Sequence, residues 1–416
     1  MGKRVVLKGS PRICVQCKGF RKLCGLPRCP LVYSSIYRSK AVSLISKGSL
    51  EGSTPPSLLV GEAGYPKVRL YLGIPPSVRG DEAAFYDKPA MWFGKLGLED
   101  VVSLRSAVVF TVTNRFSVHD IPRLSKIELL LAAVSEKPVD AEAEIDKVLR
   151  AYVLPDPVTP PMGPSVLARN VRVVGNPYLH RSLEKAINDE LRAAEAIHML
   201  YMDGVDFYTI VRALSLGLLG LERNRKAVPT RWSITAVDQQ IGNQLLSSLR
   251  TAPTISEVLV FWGEYMYNRY VVVLSPGPYR GFWVEVWHPA SVFNPGGETE
   301  VFAVEEHPMG RYTAMDGGYI AARTSVAEYL YKLRRQARVA ILREILPQYI
   351  YPVGSWQIRL TVKHALERGP VLRNPSPSEL SNYIASMMRV PKRVVEQVLE
   401  FVYGPKQKRL DEFFSR

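Results

Sequence analysis

Residues 258–287 read VLVFWGEYMYNRYVVVLSPGPYRGFWVEVW, and they predict a β-sheet at the centre of the chain. An aromatic-rich strand is predicted over Val258–Tyr270, and a nearly all-valine strand over Tyr270–Leu274. β-Branched and aromatic residues favour the pleated, half-buried surface of a sheet. Phe282–Trp287 then alternates apolar and polar side chains after an aromatic start, which predicts a further strand.

Outside this centre, the sequence predicts both strands and helices. Strands are predicted at Lys67–Leu72, Ser106–Thr113 and Val171–Val174, and helices at Ser125–Ala133, Tyr178–Met202, Ala322–Leu366 and Ser376–Val402. An acidic group of Glu142, Glu144 and Asp146 predicts a helix start rather than a metal site. The predicted fold class is α+β, with a sheet-rich central region, a helical C-terminal region, a small N-terminal module that carries all four cysteines of the chain, and a flexible C-terminal tail.

Four segments are predicted along the chain. They are a metal-binding module at 1–32, an α+β region at 33–300 with a proline-rich crossing at 153–164, a mainly helical region at 301–403, and a tail at 404–416. The crossing carries five prolines in twelve residues, so it must be extended or linker-like.

The charge of the chain indicates an anionic partner. Its 416 residues carry 54 basic and 39 acidic side chains, for a formal net charge of +15. Nucleic acid is the first candidate for such a partner, and the alternative is an ordinary basic cytoplasmic protein. The N-terminal apolar run is too short for a signal peptide. No apolar run approaches the roughly 18 residues of a membrane span. We therefore expect a cytoplasmic, nucleoid-associated protein with no membrane contact.

All four cysteines lie close together, at Cys14, Cys17, Cys24 and Cys29, with the spacing C-x2-C-x6-C-x4-C. Four thiolates close a tetrahedral zinc site and leave no open position for water, so the predicted Zn²⁺ is structural. A disulfide pair is the alternative, which a reducing cytosol disfavours. A thioredoxin-like redox motif would need a βαβ context that this segment lacks.

Basic side chains surround these cysteines and include Arg12, Lys18, Arg21 and Lys22. They predict a module that contacts the phosphate backbone of a nucleic acid. The alternative is a solvated surface that only keeps the module soluble.

The end of the chain carries a hydrophobic pattern in a charged context, Q-x-x-L-x-x-F-F, formed by Gln407, Leu410, Phe413 and Phe414. A single 3₁₀ turn places residues three apart on one side, so the three apolar side chains would form one plug. The pattern resembles the PIP box, the peptide by which replication and repair proteins bind the sliding clamp, PCNA. The alternative is a tail that packs on its own domain.

Two predicted strand-to-helix junctions are candidate phosphate sites, because a helix N-terminus offers free N–H groups and a positive dipole end. Arg169, Arg172 and His180 gather at the first junction. At the second junction, Arg231 precedes a strand that is predicted from the alternation of Trp232, Ile234 and Ala236. Asp238 follows this strand and is predicted to cap the next helix. The alternative is that Asp238 binds a metal or acts as a base.

Three tryptophans, Trp232, Trp283 and Trp287, could stack nucleobases, although a position in a sheet core is the more ordinary role. No phosphate-binding loop, H-E-x-x-H or G-x-S-x-G motif occurs in the chain. The candidate catalytic residues are therefore weak ones, namely Asp238, His180, Glu285 and Asp316.

Long segments resemble the archaeal Nre family of DNA repair proteins. They are RWSITAVDQQIG from Arg231, RNVRVVGNPYLHRSLEKA from Arg169 and DGGYIAARTSVAEYL from Asp316, together with the four-cysteine module and the terminal motif. The resemblance implies a zinc finger on the four cysteines, a PIP box in the tail, and a role in the response to DNA damage together with the clamp. It implies no established reaction.

Two classes of function remain open at this point. The chain is either a non-catalytic DNA repair protein that binds nucleic acid and is tethered to PCNA, or a metal-dependent nuclease or other phosphodiester enzyme that acts on DNA repair intermediates. In the second case Asp238, Glu285 and Asp316 would hold Mg²⁺ or Mn²⁺.

Overall fold

The structure is a computed structural model that describes residues 21, 30–43, 45, 48–123, 127–149, 162–289, 291, 294, 298–306, 316–349 and 351–404. The chain forms two compact units. The N-terminal unit contains residues 28–244 and 351–356, and the C-terminal unit contains mainly residues 245–350 and 357–416.

The N-terminal unit is built on a six-stranded sheet with the order β1-β7-β8-β5-β4-β2. The strands of the unit are β1 (Ser49–Thr54), β2 (Leu58–Val60), β3 (Lys67–Val68), β4 (Leu70–Ile74), β5 (Val109–Val112), β6 (Phe116–Ser117), β7 (Val139–Leu149) and β8 (Ser165–Val174). β5 and β8 run parallel, the other neighbours in this sheet run antiparallel, and β3 pairs with β6 in a separate two-stranded sheet.

The helices of this unit are α1 (Pro30–Ser43), α2 (Asp81–Ala84), α3 (Pro89–Trp92), α4 (Leu98–Ala107), α5 (Ile127–Ala133), α6 (Arg181–Asn188), α7 (Ala193–Met202), α8 (Phe207–Ser215) and α9 (Thr230–Ser248). The last four residues of α9 belong to the C-terminal unit. Short 3₁₀ turns lie at Val118–Arg123 and Glu222–Asn224. The single helix predicted over Tyr178–Met202 is wrong, because the chain forms α6 and α7 with a break between them. Arg192 has extended backbone there, and its N–H donates to the Glu195 carboxylate as α7 begins.

The prediction of a helix start at the acidic group is also wrong. Glu142 and Glu144 lie in β7, where they are exposed and alternate with the buried Ala141 and Ala143. This period of two matches a strand with one face toward the core, whereas a helix start would place the acids in one turn.

The C-terminal unit contains the sheet predicted from residues 258–287. Its strands are β9 (Leu259–Tyr265), β10 (Asn268–Ser275), β11 (Arg280–Trp287), β12 (Glu300–Glu306), β13 (Arg338–Ile345) and β14 (Leu372–Arg373), in the spatial order β12-β11-β13-β10-β9-β14. β11 and β13 run parallel, and the other neighbours run antiparallel. The fold class α+β is therefore confirmed.

Helices cover both faces of this sheet. Apolar side chains of α10 (Gly317–Leu333) and α11 (Trp356–Glu367) pack on one face with Trp283 and Tyr270. Those of α12 (Pro377–Met387) and α13 (Lys392–Tyr403) pack on the other face with Val271 and Val284. The helical character predicted for 376–402 is confirmed, but a single helix over Ser376–Val402 is wrong, because Met388 has extended backbone and a second helix begins only after Pro391.

The prediction of helix over 322–366 is wrong in its middle, where β13 crosses the sheet. The sequence RVAILREI is buried from its second residue to its last, because helices cover both faces of the strand. A continuous buried run carries no period-two signal and resembles a buried helix. The predicted segment boundaries at 32/33, 300/301 and 403/404 stay predictions. Strand β12 begins at Glu300, so residues on both sides of 300/301 belong to one sheet.

No helix among the described residues is long and apolar enough to span a membrane.

Candidate nucleic-acid interface

The segment after Arg231 is helical, so the strand predicted over Trp232–Ala236 is wrong. Helix α9 begins at Thr230, and its buried side chains Ser233, Val237, Ile241 and Leu245 recur every four residues. This spacing is that of one helix face turned to the core. Asp238 is fully buried inside the helix, two turns from its start, so it does not cap the helix.

Trp232 lies on the opposite side of α9, and its side chain is 46% exposed. It is therefore not buried in a sheet core, which is the position that the predicted strand implied. Its Nε1 donates to Glu62 Oε2 at 3.1 Å, and Arg231 Nη1 donates to Glu62 Oε1 at the same distance. The ring of Tyr65 lies against that of Trp232, with centroids 5.1 Å apart and planes 50° apart. One carboxylate thus orients both side chains at the start of the helix.

A hydrogen bond between α9 and β2 explains why Trp232 and Arg231 lie beside Glu62 and Tyr65. Thr230 Oγ1, at the first residue of α9, accepts a hydrogen bond from the N–H of Val60 at 2.8 Å. Val60 ends β2, and the turn that follows carries Glu62 and Tyr65. The turn is therefore held beside the first turn of the helix.

Together these elements form an open pocket of about 520 Å³, which we call the aromatic pocket. It is lined by Glu62, Arg231, Trp232, Thr235, Ala236 and Gln239, with Tyr65 against the tryptophan ring. Two further cations lie beside the turn that carries Glu62 and Tyr65. Lys67 is exposed, and the Arg115 guanidinium lies over Gly64, in the space that a side chain at residue 64 would need.

The basic residues predicted at the first junction lie on an exposed part of β8. Arg169 Nη2 donates to Asp146 at 2.7 Å, and Arg172 lies opposite Glu142 in the register of β7 and β8. His180 is the N-cap of α6, where its Nδ1 accepts from the N–H of Ser182 at 3.2 Å. The acidic strand β7 thus offsets part of the positive charge of β8.

Two of the catalytic candidates, Glu285 and Asp316, belong to the C-terminal unit. Glu285, 2% exposed, accepts from Arg343 Nη1 at 2.5 Å and from Trp287 Nε1 at 3.1 Å. Arg343 also donates twice to Asn268 Oδ1, at 2.7 and 3.0 Å. Asp316 caps α10 by accepting from the N–H of Tyr319 at 2.8 Å.

The environment of this cluster changes the pKa of Glu285. Burial raises the pKa of Glu285 to about 7, Arg343 opposes that shift, and the nearby carboxylate of Asp316 adds to it. Trp283, on the same strand, is fully buried in the core of the sheet. The cluster is a hydrogen-bonded ion pair in a sheet interior, and within the described part of the chain no three His, Cys, Asp or Glu side chains are placed to hold a metal ion.

Two family models match the chain. One, described as archaeal Nre, N-terminal, matches residues 23–294, and the other, archaeal Nre, C-terminal, matches residues 305–413. The chain belongs to the archaeal Nre family. This confirms the resemblance seen in the sequence, and the aromatic pocket lies within the part that the N-terminal model matches.

Curated relatives of this Nre chain cover most of its length. It is 37% identical to DNA repair protein NreA of Archaeoglobus fulgidus over 86% of this chain and 89% of the relative. It is 35% identical to DNA repair protein NreB of the same organism, over 83% and 86%. It is 31% identical to DNA repair protein NreA of Haloferax volcanii, over 80% and 81%. No solved structure matches it.

Several predicted sites of this Nre protein fall outside the described residues. They are the zinc ligands Cys14, Cys17, Cys24 and Cys29, the basic residues Arg12, Lys18 and Lys22, and the PIP-box residues Gln407, Leu410, Phe413 and Phe414. Arg21 is described and is exposed.

Sequence reasoning missed Glu62 and Tyr65 as partners of Arg231 and Trp232. The available signal was the turn Gly64-Tyr65-Pro66, where an aromatic side chain between turn-forming residues is expected at the surface. Nothing local connects that turn to a helix some 170 residues later.

Proposed function

We propose that this Nre protein acts in DNA repair, binds nucleic acid, and is tethered to the sliding clamp PCNA. The observation that carries the proposal is the set of relatives named DNA repair proteins, which align over at least 80% of this chain. A cytoplasmic, nucleoid-associated location follows from the same proposal.

The charge of the molecule supports the nucleic-acid part. The net charge is +15, and exposed cations lie beside exposed aromatic rings at the aromatic pocket. Cations on a protein surface release counterions from the phosphates that they neutralise, so binding of this kind weakens steeply with salt.

Fluorescence anisotropy with labelled duplex DNA at increasing salt tests this part. We expect a linear fall of log affinity against log salt, with a slope of about −0.9 for each phosphate contact. The double charge reversal Arg21→Glu/Lys22→Glu should weaken binding and make the slope shallower, whatever the DNA sequence. Lys392→Glu/Arg393→Glu, which reverses two adjacent exposed cations of α13 and so changes the net charge equally, is the matched control and should have less effect. Affinity that does not change with salt would contradict the electrostatic mechanism.

The tail and the cysteines complete the proposal. The PIP-box residues would supply the tether, which raises the local concentration of the protein on DNA without new base contacts. The four cysteines would hold one structural Zn²⁺. Metal analysis of protein purified without chelator tests the zinc site, and disulfides at these positions would contradict it.

A metal-dependent nuclease is the second candidate function, favoured by the electrostatic coupling of Glu285 and Asp316. Cleavage of flapped or nicked DNA with Mg²⁺ or Mn²⁺, lost with EDTA and with Asp316→Asn, would support this candidate. No cleavage would leave the non-catalytic role.

A further inference from the structure

We propose that the aromatic pocket stacks an unpaired nucleobase and so gives this protein a preference for single-stranded nucleic acid over duplex. The proposal rests on the proposed nucleic-acid binding and specifies the form of nucleic acid that one surface selects.

The first support is the exposure of the two rings. Trp232 is 46% exposed and Tyr65 is 42% exposed, although both belong to ordered, hydrogen-bonded backbone at the start of a helix and in a turn. Exposed aromatic side chains of this kind are the anchors that binding surfaces use. Their planes are 50° apart, so the rings do not bury each other face to face.

The second support is the fixed orientation of Trp232. The only N–H of its indole side chain donates to Glu62 Oε2, and the other oxygen of that carboxylate accepts from Arg231. The indole therefore has its polar group satisfied before a ligand arrives, and its face keeps its orientation without further ordering. Pre-organisation of this kind lowers the entropic cost of binding.

The third support is the polar lining next to the ring. Thr235 and Gln239 follow Trp232 on the same side of α9, one and two turns further along, and Ala236 between them leaves space. A glutamine amide offers both donors and an acceptor, and a threonine hydroxyl offers both kinds of bond. Such groups can pair with the edge of a base whose own partner strand is absent.

The fourth support is charge. The exposed Lys67 begins β3 directly after the turn that carries Tyr65, and the Arg115 guanidinium lies over Gly64 of that turn. In the proposed complex, these cations contact the phosphates on either side of a stacked base. Aromatic rings interleaved with cations are the usual means of binding single strands without sequence preference. In a duplex the base faces are already stacked, so this pocket would have to unstack a base first.

The test uses the full-length protein and three labelled ligands of equal length: oligothymidylate, an abasic strand with the same phosphates, and a duplex. Wild-type protein should bind oligothymidylate more tightly than the abasic strand or the duplex. Trp232→Ala should weaken binding of oligothymidylate by about 5- to 150-fold, the range of one base–aromatic stack, and leave the abasic strand nearly unchanged. Trp232→Phe, which keeps a ring, should retain much of the affinity.

Tyr331→Ala removes an exposed aromatic residue of α10 and is the matched control, which should bind as wild type. Oligouridylate is a further arm, and the same loss with either strand supports stacking, since both present base faces. Equal binding of oligothymidylate by wild type and by folded Trp232→Ala would overturn the inference and leave the proposed nucleic-acid binding intact. Failure of wild type to bind any strand or duplex would overturn both.

Discussion

At the scale of single residues, the buried pair of Glu285 and Arg343 shows how environment changes a side chain's chemistry. Glu285 is 2% exposed and Arg343 is 5% exposed, and the arginine also bonds Asn268. An isolated buried charge would be costly, so the arginine is paired and its remaining donors are used. The pKa of Glu285 is nevertheless raised from its ordinary value of 4.5 to about 7.

This shift predicts how stability changes with pH. Because the folded-state pKa of Glu285 is raised, the folded chain keeps a proton that the unfolded chain loses. The stability that the protonated Glu285 contributes is fully present below about pH 4.5 and is lost as the pH rises to about 7. Glu285→Gln cannot titrate, so the free energy of unfolding of the variant relative to wild type should rise by up to about 3 kcal/mol across this window.

Denaturant unfolding of both proteins at several pH values measures this difference. Glu300→Gln, at the exposed start of β12, is the control and should show no such change. A constant difference between Glu285→Gln and wild type from pH 4.5 to 8 would show that the carboxyl is already ionised throughout.

At the scale of secondary-structure elements, the close approach of α10 to β11 depends on one glycine. A Cβ at Gly281 would lie far inside van der Waals contact with the hydroxyl oxygen of Tyr319. That hydroxyl donates to Glu306 Oε2 at 2.5 Å, and Arg323 binds the same carboxylate. The helix, β11 and the end of β12 therefore meet at a point with no space for a methyl group.

Gly281→Ala should lower the free energy of unfolding by about 1–3 kcal/mol, the usual cost of overpacking a core. Tyr319→Phe removes the clashing oxygen, so the double variant should be less destabilised than the sum of the two single variants. The check is a double-mutant cycle by denaturant unfolding. Additive changes would mean that the alanine is accommodated without pressing on Tyr319.

At the scale of the whole molecule, the proposed functions belong to different parts of the chain. The aromatic pocket lies in the N-terminal unit, the Glu285 cluster in the C-terminal unit, and the proposed zinc site and clamp motif near the two chain ends. A tether acts through the length of its linker rather than through contacts with the rest of the protein. The clamp motif can therefore be tested separately from the aromatic pocket.

The double substitution Phe413→Ala/Phe414→Ala should abolish micromolar binding to the clamp. Burial of each such side chain contributes roughly 1.5–3 kcal/mol, so loss of both removes several kcal/mol. Calorimetry of the clamp with wild-type and variant protein measures the effect. Lys408→Ala is the control and should alter mainly the association rate and its salt dependence. Equal affinities of wild type and the double variant would show that the phenylalanines are not the anchor.

The sequence alone was sufficient for features that depend on composition or on strong local patterns. The sheet of 258–287 was predictable from its valine-rich and aromatic composition, and the helical character of 376–402 from its apolar spacing. The strand predicted over Val258–Tyr270 was too long, because a turn at Met266 and Tyr267 separates β9 from β10. Family membership was predictable too, because long segments match.

Only the tertiary structure decided the two points on which the candidate site depends. The alternation of Trp232, Ile234 and Ala236 fits a strand over five residues, and the helix becomes evident only when burial selects Ser233, Val237 and Ile241 as one face. The apposition of Tyr65 and Glu62 to Trp232 depends on the bond between Val60 and Thr230, which joins segments 170 residues apart. Short windows cannot separate periods of 2 and 3.6, and local propensity carries no information about contacts between such distant segments.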